Sequence, residues 1–369
     1  MKIHIVCYDD IHAWIIGKFA IKLNENLQKL RIQSDISDKP DLNSDINHHL
    51  IFNQYDGKKS TIDTIMITHI DNLSKLNMLE KQMETVRAGI CMSRETMIYL
   101  AKMGIEKSKL CYVNPAHDGI LPVKKIIIGI ASRIYDDGRK NEHYLNKLAK
   151  TLNPIYFKFK IFGSGWESQI ECLEKHGFEV EYTDHFDYEK YLHFIPSLDY
   201  YLYMGTDEGQ MGFVDALSSG VKTIVVPQGY HLDAYKGITH SFTTYDELEN
   251  ILLQLQKDKE TLISSVATWN WLDYTKKHVE IWQYLLNNRK TKSVYIDGLN
   301  SIWESEAYDY NFKQKESLKL NKNNKKRRYN QIRYIIGKLV KNNGQSGFIH
   351  NLIKRISNLL KKKIIREKS

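Results

Sequence analysis

Acidic residues and glycines share one short stretch of the sequence, in an order that suits sugars and a phosphate. The stretch contains Asp207, Glu208, Gly209, Gly212 and Asp215. Glycines at a helix start let backbone N–H groups approach an anion, and the helix dipole favours negative charge there. Ionised carboxylates accept several hydrogen bonds and therefore suit sugar hydroxyls. The pattern indicates a nucleotide-sugar site; the alternative interpretation is a strand-to-helix turn whose glycines serve close packing.

Cations follow an apolar segment further towards the N-terminus. Residues 125–131 are almost continuously apolar, which is typical of a strand in a parallel sheet covered on both faces, and Arg133, Arg139 and Lys140 come next. Cations at the mouth of a parallel sheet can clamp a diphosphate and stabilise it as it leaves. The alternative is a solvated loop of surface charges, but the position between a strand and a helix favours diphosphate binding.

Three more candidates follow strands in the first half of the chain. His69 directly follows the predicted strand at 64–68. An imidazole at that position can contact a sugar, although a lone histidine is as often structural. His12 and Trp14 lie in the loop after the first predicted strand. The indole of Trp14 can stack on a sugar face, and core packing is its alternative role.

Strands and helices alternate along the chain and must position these residues. Apolar residues recur at helical spacing over residues 13–30, and a second alternating series starts at residue 125, after a break bounded by Pro115 and Pro122. We therefore predict an α/β protein with two doubly wound Rossmann-like domains facing a cleft. The predicted boundaries are 1–122 and 123–290 for the two domains and 291–369 for a basic helical tail.

The two chemical stretches resemble motifs of retaining GT-B glycosyltransferases, family 4 in particular. Residues 215–220 (Asp-Ala-Leu-Ser-Ser-Gly) are similar to the E-A-[LM]-A-x-G end of the E-x7-E region. Asp207 gives the x7 spacing, whereas Glu208 gives the E-G pair one residue short, so both stay candidates for the first acidic residue. Residues 129–140 are similar to the G-R-x(5)-[RK] signature, in which Arg133 is the first cation and Arg139 or Lys140 the second.

The resemblance implies roles for the candidate residues. It implies catalytic roles at the donor sugar for His69, Asp207 and Glu208; diphosphate binding by Arg133, Arg139, Lys140, Gly209 and Gly212; ribose binding by Asp215; and acceptor contacts by His12 and Trp14. It also implies that Tyr274 and Trp282 belong to the core, because the last helix of the family crosses back onto the first domain. No metal and no cofactor other than the nucleotide-sugar donor is expected.

The implied activity is a retaining, metal-independent transfer of a sugar from a nucleotide-sugar to a glycan or lipid-linked acceptor in surface polysaccharide or lipopolysaccharide synthesis. One alternative is a sugar-nucleotide epimerase on the same fold, which needs an additional set of acids and histidines. The other alternative is a non-catalytic basic adaptor for a membrane or nucleic acid, which would depend entirely on the C-terminal tail.

Basic charge is concentrated in that tail. Residues 313–369 contain 18 Lys and Arg against two acidic residues and carry +16, so that the net +9 of the chain leaves −7 for the rest. Apolar residues recur there at helical spacing, which favours two amphipathic helices on an anionic membrane surface. Packing on the catalytic body or nonspecific nucleic-acid binding are the alternatives, and no specific nucleic acid is expected. The predicted location is cytoplasmic, peripheral on the inner face of the cell membrane.

Overall fold

The computed structural model describes residues 1–287, and the chain within them divides into two units. Within these residues the first unit joins Met1–His117 to residues 269–287, and the second is Asp118–Thr268. None of the helices within residues 1–287 is long and apolar enough to cross a membrane. The predicted tail, residues 291–369, lies outside the described residues.

The first unit is built on a parallel sheet of six strands in the order β2-β1-β3-β4-β5-β6. Apolar residues of its central strands, such as Ile3 and Ile5, pack against Phe19 and Leu23 of α1. Its strands and first helices are β1 (Lys2–Val6), α1 (Ile15–Lys29), β2 (Gln33–Ser37), β3 (Ile46–His49), β4 (Ile62–Ile67), α2 (Leu73–Thr85), β5 (Ala88–Cys91), α3 (Arg94–Lys102) and β6 (Leu110–Tyr112).

The second unit has a parallel sheet in the order β12-β11-β10-β7-β8-β9, which is the strand order of a Rossmann fold. Its elements are β7 (Ile126–Ala131), α4 (His143–Thr151), β8 (Phe157–Phe162), α5 (Glu167–Lys175), β9 (Glu179–Thr183), α6 (Tyr188–Phe194), β10 (Tyr200–Tyr203), α7 (Met211–Ser218), β11 (Lys222–Val225), β12 (His240–Ser241) and α8 (Tyr245–Ser264). Short 3₁₀ turns lie at Phe52–Gln54, Lys107–Lys109, Ile195–Ser197 and Gly229–His231. The predicted α/β class with two doubly wound sheets is confirmed.

The last described helix, α9 (Trp271–Leu286), packs on the first unit. Tyr274 and Trp282 are buried in the same core as Ile3 and Phe19, as expected for core residues. The boundaries 1–122 and 123–290 thus differ from the observed division, which falls after His117 and returns α9 to the first unit. The physical reason is the apolar face of α9, which is covered by α1 and the first sheet.

Each doubly wound sheet has one point at which the strand order reverses. That point lies between β1 and β3 in the first unit and between β7 and β10 in the second. In open α/β sheets the loops at the carboxyl ends of these strands separate and leave a crevice for ligands. The loops after β1, β3, β7 and β10 are therefore the places at which a site is expected.

Candidate active site

The loop after β7 carries the three candidate diphosphate-binding cations. Arg133 is exposed, and the Arg139 side chain keeps 40% of its surface accessible. Nε of Arg139 lies 3.5 Å from Oδ2 of Asp137. The side chain of Lys140 has only 6% exposure. The loop thus presents two arginines to solvent and turns the lysine inward.

Lys140 holds the first acidic candidate in place. Its Nζ lies 2.7 Å from Oδ2 of Asp207 and donates to the Tyr203 hydroxyl at 2.7 Å. The Tyr203 hydroxyl in turn donates to Oδ1 of Asp207 at 2.5 Å, and the Gly209 N–H donates to the same oxygen at 3.2 Å. Burial raises the pKa of Asp207, but the bonds from Lys140 and Tyr203 outweigh it and hold that pKa below its usual range. Both oxygens of Asp207 are therefore engaged within the protein.

Glu208, by contrast, is exposed at the tip of the loop after β10. The following residue, Gly209, has φ +125°, a conformation that side chains rarely adopt. A Cβ there would also come within 2.8 Å of the Tyr230 ring. Gly209 therefore gives the tight turn that places Glu208 outward and Asp207 inward.

A histidine that the sequence analysis did not single out supports this glycine loop. His231 is fully buried, and its Nε2 accepts the Gln210 N–H at 3.1 Å. Its Nδ1 lies 3.1 Å from the carbonyl of Val226, so Nδ1 carries the proton and the ring is neutral. Burial lowers the pKa of His231, which favours this neutral form. The only sequence signal was its place in the loop after β11.

Gln210 joins the two loops at the strand reversal. It precedes α7, and its side chain does not cap the helix but donates to the carbonyl of Ala131, at the end of β7, at 2.8 Å. The first turn of α7 is thereby fixed beside the start of the cation loop. Gly212 allows α7 to approach the sheet, because a Cβ there would lie 2.6 Å from the Tyr201 hydroxyl oxygen. Close packing therefore explains Gly212 directly.

Asp215 lies in α7 and is partly buried. Its Oδ2 accepts the Tyr191 hydroxyl at 2.7 Å. Burial, reinforced by this bond, raises the pKa of Tyr191, so the phenol remains a donor. Tyr191 was not identified from the sequence, because its position in α6 becomes adjacent to Asp215 only in the folded unit.

The turn after β8 packs closely on the cation loop. Gly163 has φ +126°, and a Cβ there would lie 2.3 Å from the carbonyl oxygen of Ser132. The Trp166 indole donates to the same carbonyl at 2.6 Å, and the Ile134 N–H donates to Ser164 at 3.0 Å. These contacts fix the backbone on either side of Arg133.

The first-unit candidates lie at the carboxyl edge of their own sheet. His12 and Trp14 follow β1 and are exposed, and Trp14 keeps 73% of its surface. Core packing of Trp14, the alternative expectation, is therefore wrong: the residue precedes α1 and projects from the loop. His69 follows β4, and its Nε2 lies 3.8 Å from Asp71 and 3.3 Å from Lys75.

Sequence reasoning missed a buried polar chain at the strand reversal of the first unit. Nε2 of His49 lies 3.0 Å from Oδ1 of Asp63, and its Nδ1 lies 2.9 Å from the Tyr8 hydroxyl. Ser60 adds two hydrogen bonds to the Asp63 carboxylate. Burial raises the pKa of Asp63, but the bonds from His49 and Ser60 outweigh it and lower that pKa. Consecutive histidines at 48–49 were the available signal.

No protein-family model and no curated protein sequence matches this chain. Among solved structures it is similar to HepE of Anabaena in complex with UDP and glucose, with 11% identity over 77% of this chain and 99% of that one and a TM-score of 0.31. It is similar to the lipopolysaccharide outer core galactosyltransferase WaaB, with 13% identity over 76% and 98% and a TM-score of 0.31. A glycosyltransferase of Rickettsia africae gives 11% identity over 78% and 99%, also with a TM-score of 0.31. At these values the similarities do not establish a family or an activity.

Proposed function

We propose that this chain is a glycosyltransferase that binds a nucleotide-sugar donor at the strand reversal of its second unit. The observation that carries the proposal is the meeting of two loops at that point. The loop after β7 presents Arg133 and Arg139, and the loop after β10 presents Glu208 and leads into α7. Both loops lie at the carboxyl edge, where open α/β sheets bind their ligands.

Arg133 and Arg139 bind the donor diphosphate in this proposal. A guanidinium offers several N–H donors in a fixed plane and can engage two phosphate oxygens at once. The first turn of α7 adds the positive end of a helix dipole. Negative charge develops on the diphosphate as the bond to the sugar breaks, and these groups stabilise it without needing to reorganise.

Asp215 binds the ribose hydroxyls. Tyr191 engages one carboxylate oxygen and thereby fixes the orientation of the other. An ionised carboxylate is an acceptor, and two neighbouring hydroxyls are the donors that suit it. Asp215 lies in α7 after the first turn, so it can hold the nucleoside while the start of the helix faces the diphosphate.

Glu208 contacts the transferred sugar, and Asp207 anchors the loop. Two observations support this division of roles between the two acidic candidates. Both oxygens of Asp207 are occupied by Lys140, Tyr203 and Gly209, whereas Glu208 is exposed beside the same glycine turn. Lys140 then serves to orient Asp207, and Arg139 is the second diphosphate-binding cation.

The finer assignment follows the resemblance in the residues. Transfer proceeds with retention, the acceptor hydroxyl attacking from the face that the diphosphate leaves, and needs no metal. The acceptor is a glycan or a lipid-linked glycan of surface polysaccharide or lipopolysaccharide synthesis. On the acceptor side the exposed His12, Trp14 and His69 supply polar and aromatic contacts.

A thermal-shift panel of UDP-, GDP- and CMP-sugars tests the donor site. A ligand that binds the folded state raises the melting temperature, so one nucleotide class is expected to stabilise the full chain. Arg133→Ala should lose that shift, whereas Lys147→Ala, a matched loss of a cation in the same unit, should keep it. If no nucleotide-sugar shifts the melting of the wild-type protein, the proposed donor site is wrong.

We also propose that residues 313–369 bring the enzyme to the cytoplasmic face of the membrane. This rests on the charge of +16 in that segment. Each basic residue near an anionic leaflet contributes about 1 kcal/mol, and salt weakens the attraction. Sedimentation with anionic and neutral liposomes should pellet the full chain with the anionic ones and leave a chain ending at residue 312 in solution. Equal behaviour of the two chains would contradict the proposal.

A further inference from the structure

All three candidate cations of the second unit gather around one aromatic ring. The Cζ atoms of Arg133 and Arg139 lie 4.4 Å and 3.9 Å from the centroid of the Tyr135 ring. Nζ of Lys140 lies 5.6 Å from the same centroid. Distances within about 6 Å allow a cation to interact with the ring quadrupole. A single partly buried tyrosine therefore contacts every cation of this loop.

The backbone of the loop brings these residues together. The N–H of Gly138 donates to the carbonyl of Tyr135 at 3.2 Å, and Gly138 has φ +68°. This turn folds the chain back, so that Arg139 returns to the ring beside which Arg133 already lies. Asp137 accepts the Arg139 N–H at 3.2 Å and fixes the far side of the turn.

Gathering like charges is unfavourable unless something offsets their repulsion. The π face of an aromatic ring attracts cations, and the Tyr135 hydroxyl also interacts with Arg133. The hydrogen bond with Arg133, aided by the neighbouring positive charges, lowers the pKa of Tyr135. A guanidinium that stacks through its face keeps its N–H donors, which lie at its edge, for an anion. The ring thus orders both arginines. Arg133 gives part of its N–H donors to the Tyr135 hydroxyl, but a guanidinium has several, so donors remain for phosphate.

We propose that Tyr135 is a positioning residue that preorganises Arg133 and Arg139 as one diphosphate clamp. This inference rests on the proposed function, since it concerns the same site. Tyr135 acts through the two guanidiniums and does not itself bind the diphosphate. Its contribution is to reduce the ordering cost that two long side chains otherwise meet on binding.

Titration of the full chain with inorganic pyrophosphate tests this role, because the probe has neither a sugar nor a base. Tyr135→Leu and Tyr135→Gln both remove the ring and should weaken pyrophosphate binding by about tenfold. Tyr135→Phe keeps the ring and should stay within about threefold of wild type. Tyr144→Leu is the matched control: Tyr144 is also partly buried beside a cation, Lys147 at 5.8 Å, but it lies in α4. That variant should bind like wild type.

A double-mutant cycle adds a readout that a purely structural role would not move. In an Arg139→Ala background Tyr135→Leu should cost less affinity than in wild type, because one of its two partners is gone. The inference is overturned if Tyr135→Leu or Tyr135→Gln folds and binds pyrophosphate as wild type does. It is equally overturned if Tyr135→Phe is as weak as the variants without a ring. Wild-type protein that does not bind pyrophosphate would instead remove the proposed donor site itself, and the inference with it.

Discussion

The strand reversals of the two units have similar frameworks but differ in their side chains. At each one a carboxylate is joined to a basic residue and a tyrosine. In the second unit Asp207 accepts hydrogen bonds from Lys140 and Tyr203, and Lys140 also donates to the Tyr203 hydroxyl. In the first unit the groups form a chain, with His49 between Asp63 and Tyr8. Two unrelated residue sets thus fix equivalent edges of two doubly wound sheets.

The exposed residues around these anchors differ more. The second unit presents Arg133 and Arg139 beside an acidic loop, which suits a charged ligand. The first unit presents His12 and Trp14, which suit hydroxyl groups and an apolar sugar face. The fold determines where a ligand is bound, and the exposed side chains determine which chemistry is possible there. We therefore expect mutations at the two edges to separate donor effects from acceptor effects.

The largest expected effect comes from the double variant Arg133→Ala/Arg139→Ala. Removing one donor to a developing anion typically lowers turnover by about a hundredfold to a thousandfold, so loss of both should abolish measurable transfer. Donor-dependent sugar transfer is the measurement, with Lys147→Ala as the control in the same unit. His12→Ala should instead raise the KM for the acceptor and leave donor binding intact. Normal turnover in the double variant would contradict the assignment of donor binding to the two arginines.

A substitution in the core of the first unit should lower the stability of that unit more than the stability of the second. Trp282 lies in α9 and is fully buried in the core of the first unit. Trp282→Ala should lower the free energy of unfolding of that unit by about 3–5 kcal/mol, because it leaves a large cavity. Hydrogen exchange resolved by segment is the measurement, and protection in β7, β8 and β10 should change much less. Equal loss of protection in both sheets would show that the units unfold together.

Much of this architecture could be predicted from the sequence, but only where apolar residues form a continuous run or recur at helical spacing. Apolar runs marked the segments that became β4 and β7. The strands β2, β3 and β9 were missed, because polar residues predominate in each of them. In β3 the histidines are buried and bond Thr64 and Asp63, a tertiary arrangement that periodicity does not report.

The residues of the candidate site also divide into those that the sequence could predict and those that it could not. Arg133, Arg139 and Asp215 could be proposed from the sequence because their spacing from strands and glycines is local. Tyr203, Tyr191 and His231 were not, because each supports the site through a contact with a residue distant in sequence. The inward turn of Lys140 likewise depends on Asp207, which lies on a different strand end. Residues proposed to bind the ligand were thus easier to predict than the residues that position them.

A smaller effect should distinguish the two acidic residues of the second unit. Glu208→Ala should lower turnover by about a hundredfold with little change in melting temperature, since Glu208 is exposed and contacts only the ligand in the proposed role. Asp207→Asn should lower the melting temperature, since the charge partner of the buried Lys140 is lost. Steady-state kinetics and thermal melting of both variants give the measurement. The reverse pattern would assign the sugar contact to Asp207.

Stability of the first unit should also respond to mild acid. Burial lowers the pKa of His278 to about 4 and holds that of His48 well below its usual value. The unfolded chain therefore binds more protons between about pH 6.5 and pH 4, and the free energy of unfolding falls as the pH falls through that window. For His278 alone the loss reaches on the order of 2 kcal/mol by pH 5.

Urea unfolding at a series of pH values measures this dependence. His278→Phe keeps a ring beside His48 and Trp282 and should flatten the pH profile. An unchanged profile in His278→Phe would mean that His278 does not contribute to the acid sensitivity of the first unit.

The smallest expected effect is that of a chelator on sugar transfer, which should be none. Arginines and the dipole of α7 stabilise the diphosphate in the proposed mechanism, so a divalent ion is not needed there. Among residues 1–287 three possible metal ligands approach one another at His4, Asp35 and Asp41, in the first unit, where Lys2 is paired with Asp41 at 2.6 Å. Initial rates with EDTA, and after addition of Mg²⁺ or Mn²⁺, are the measurement. Activity that is lost in EDTA and restored by either ion would mean that the arginines of the second unit do not stabilise the diphosphate without a metal. The donor site at that strand reversal would then include a divalent ion.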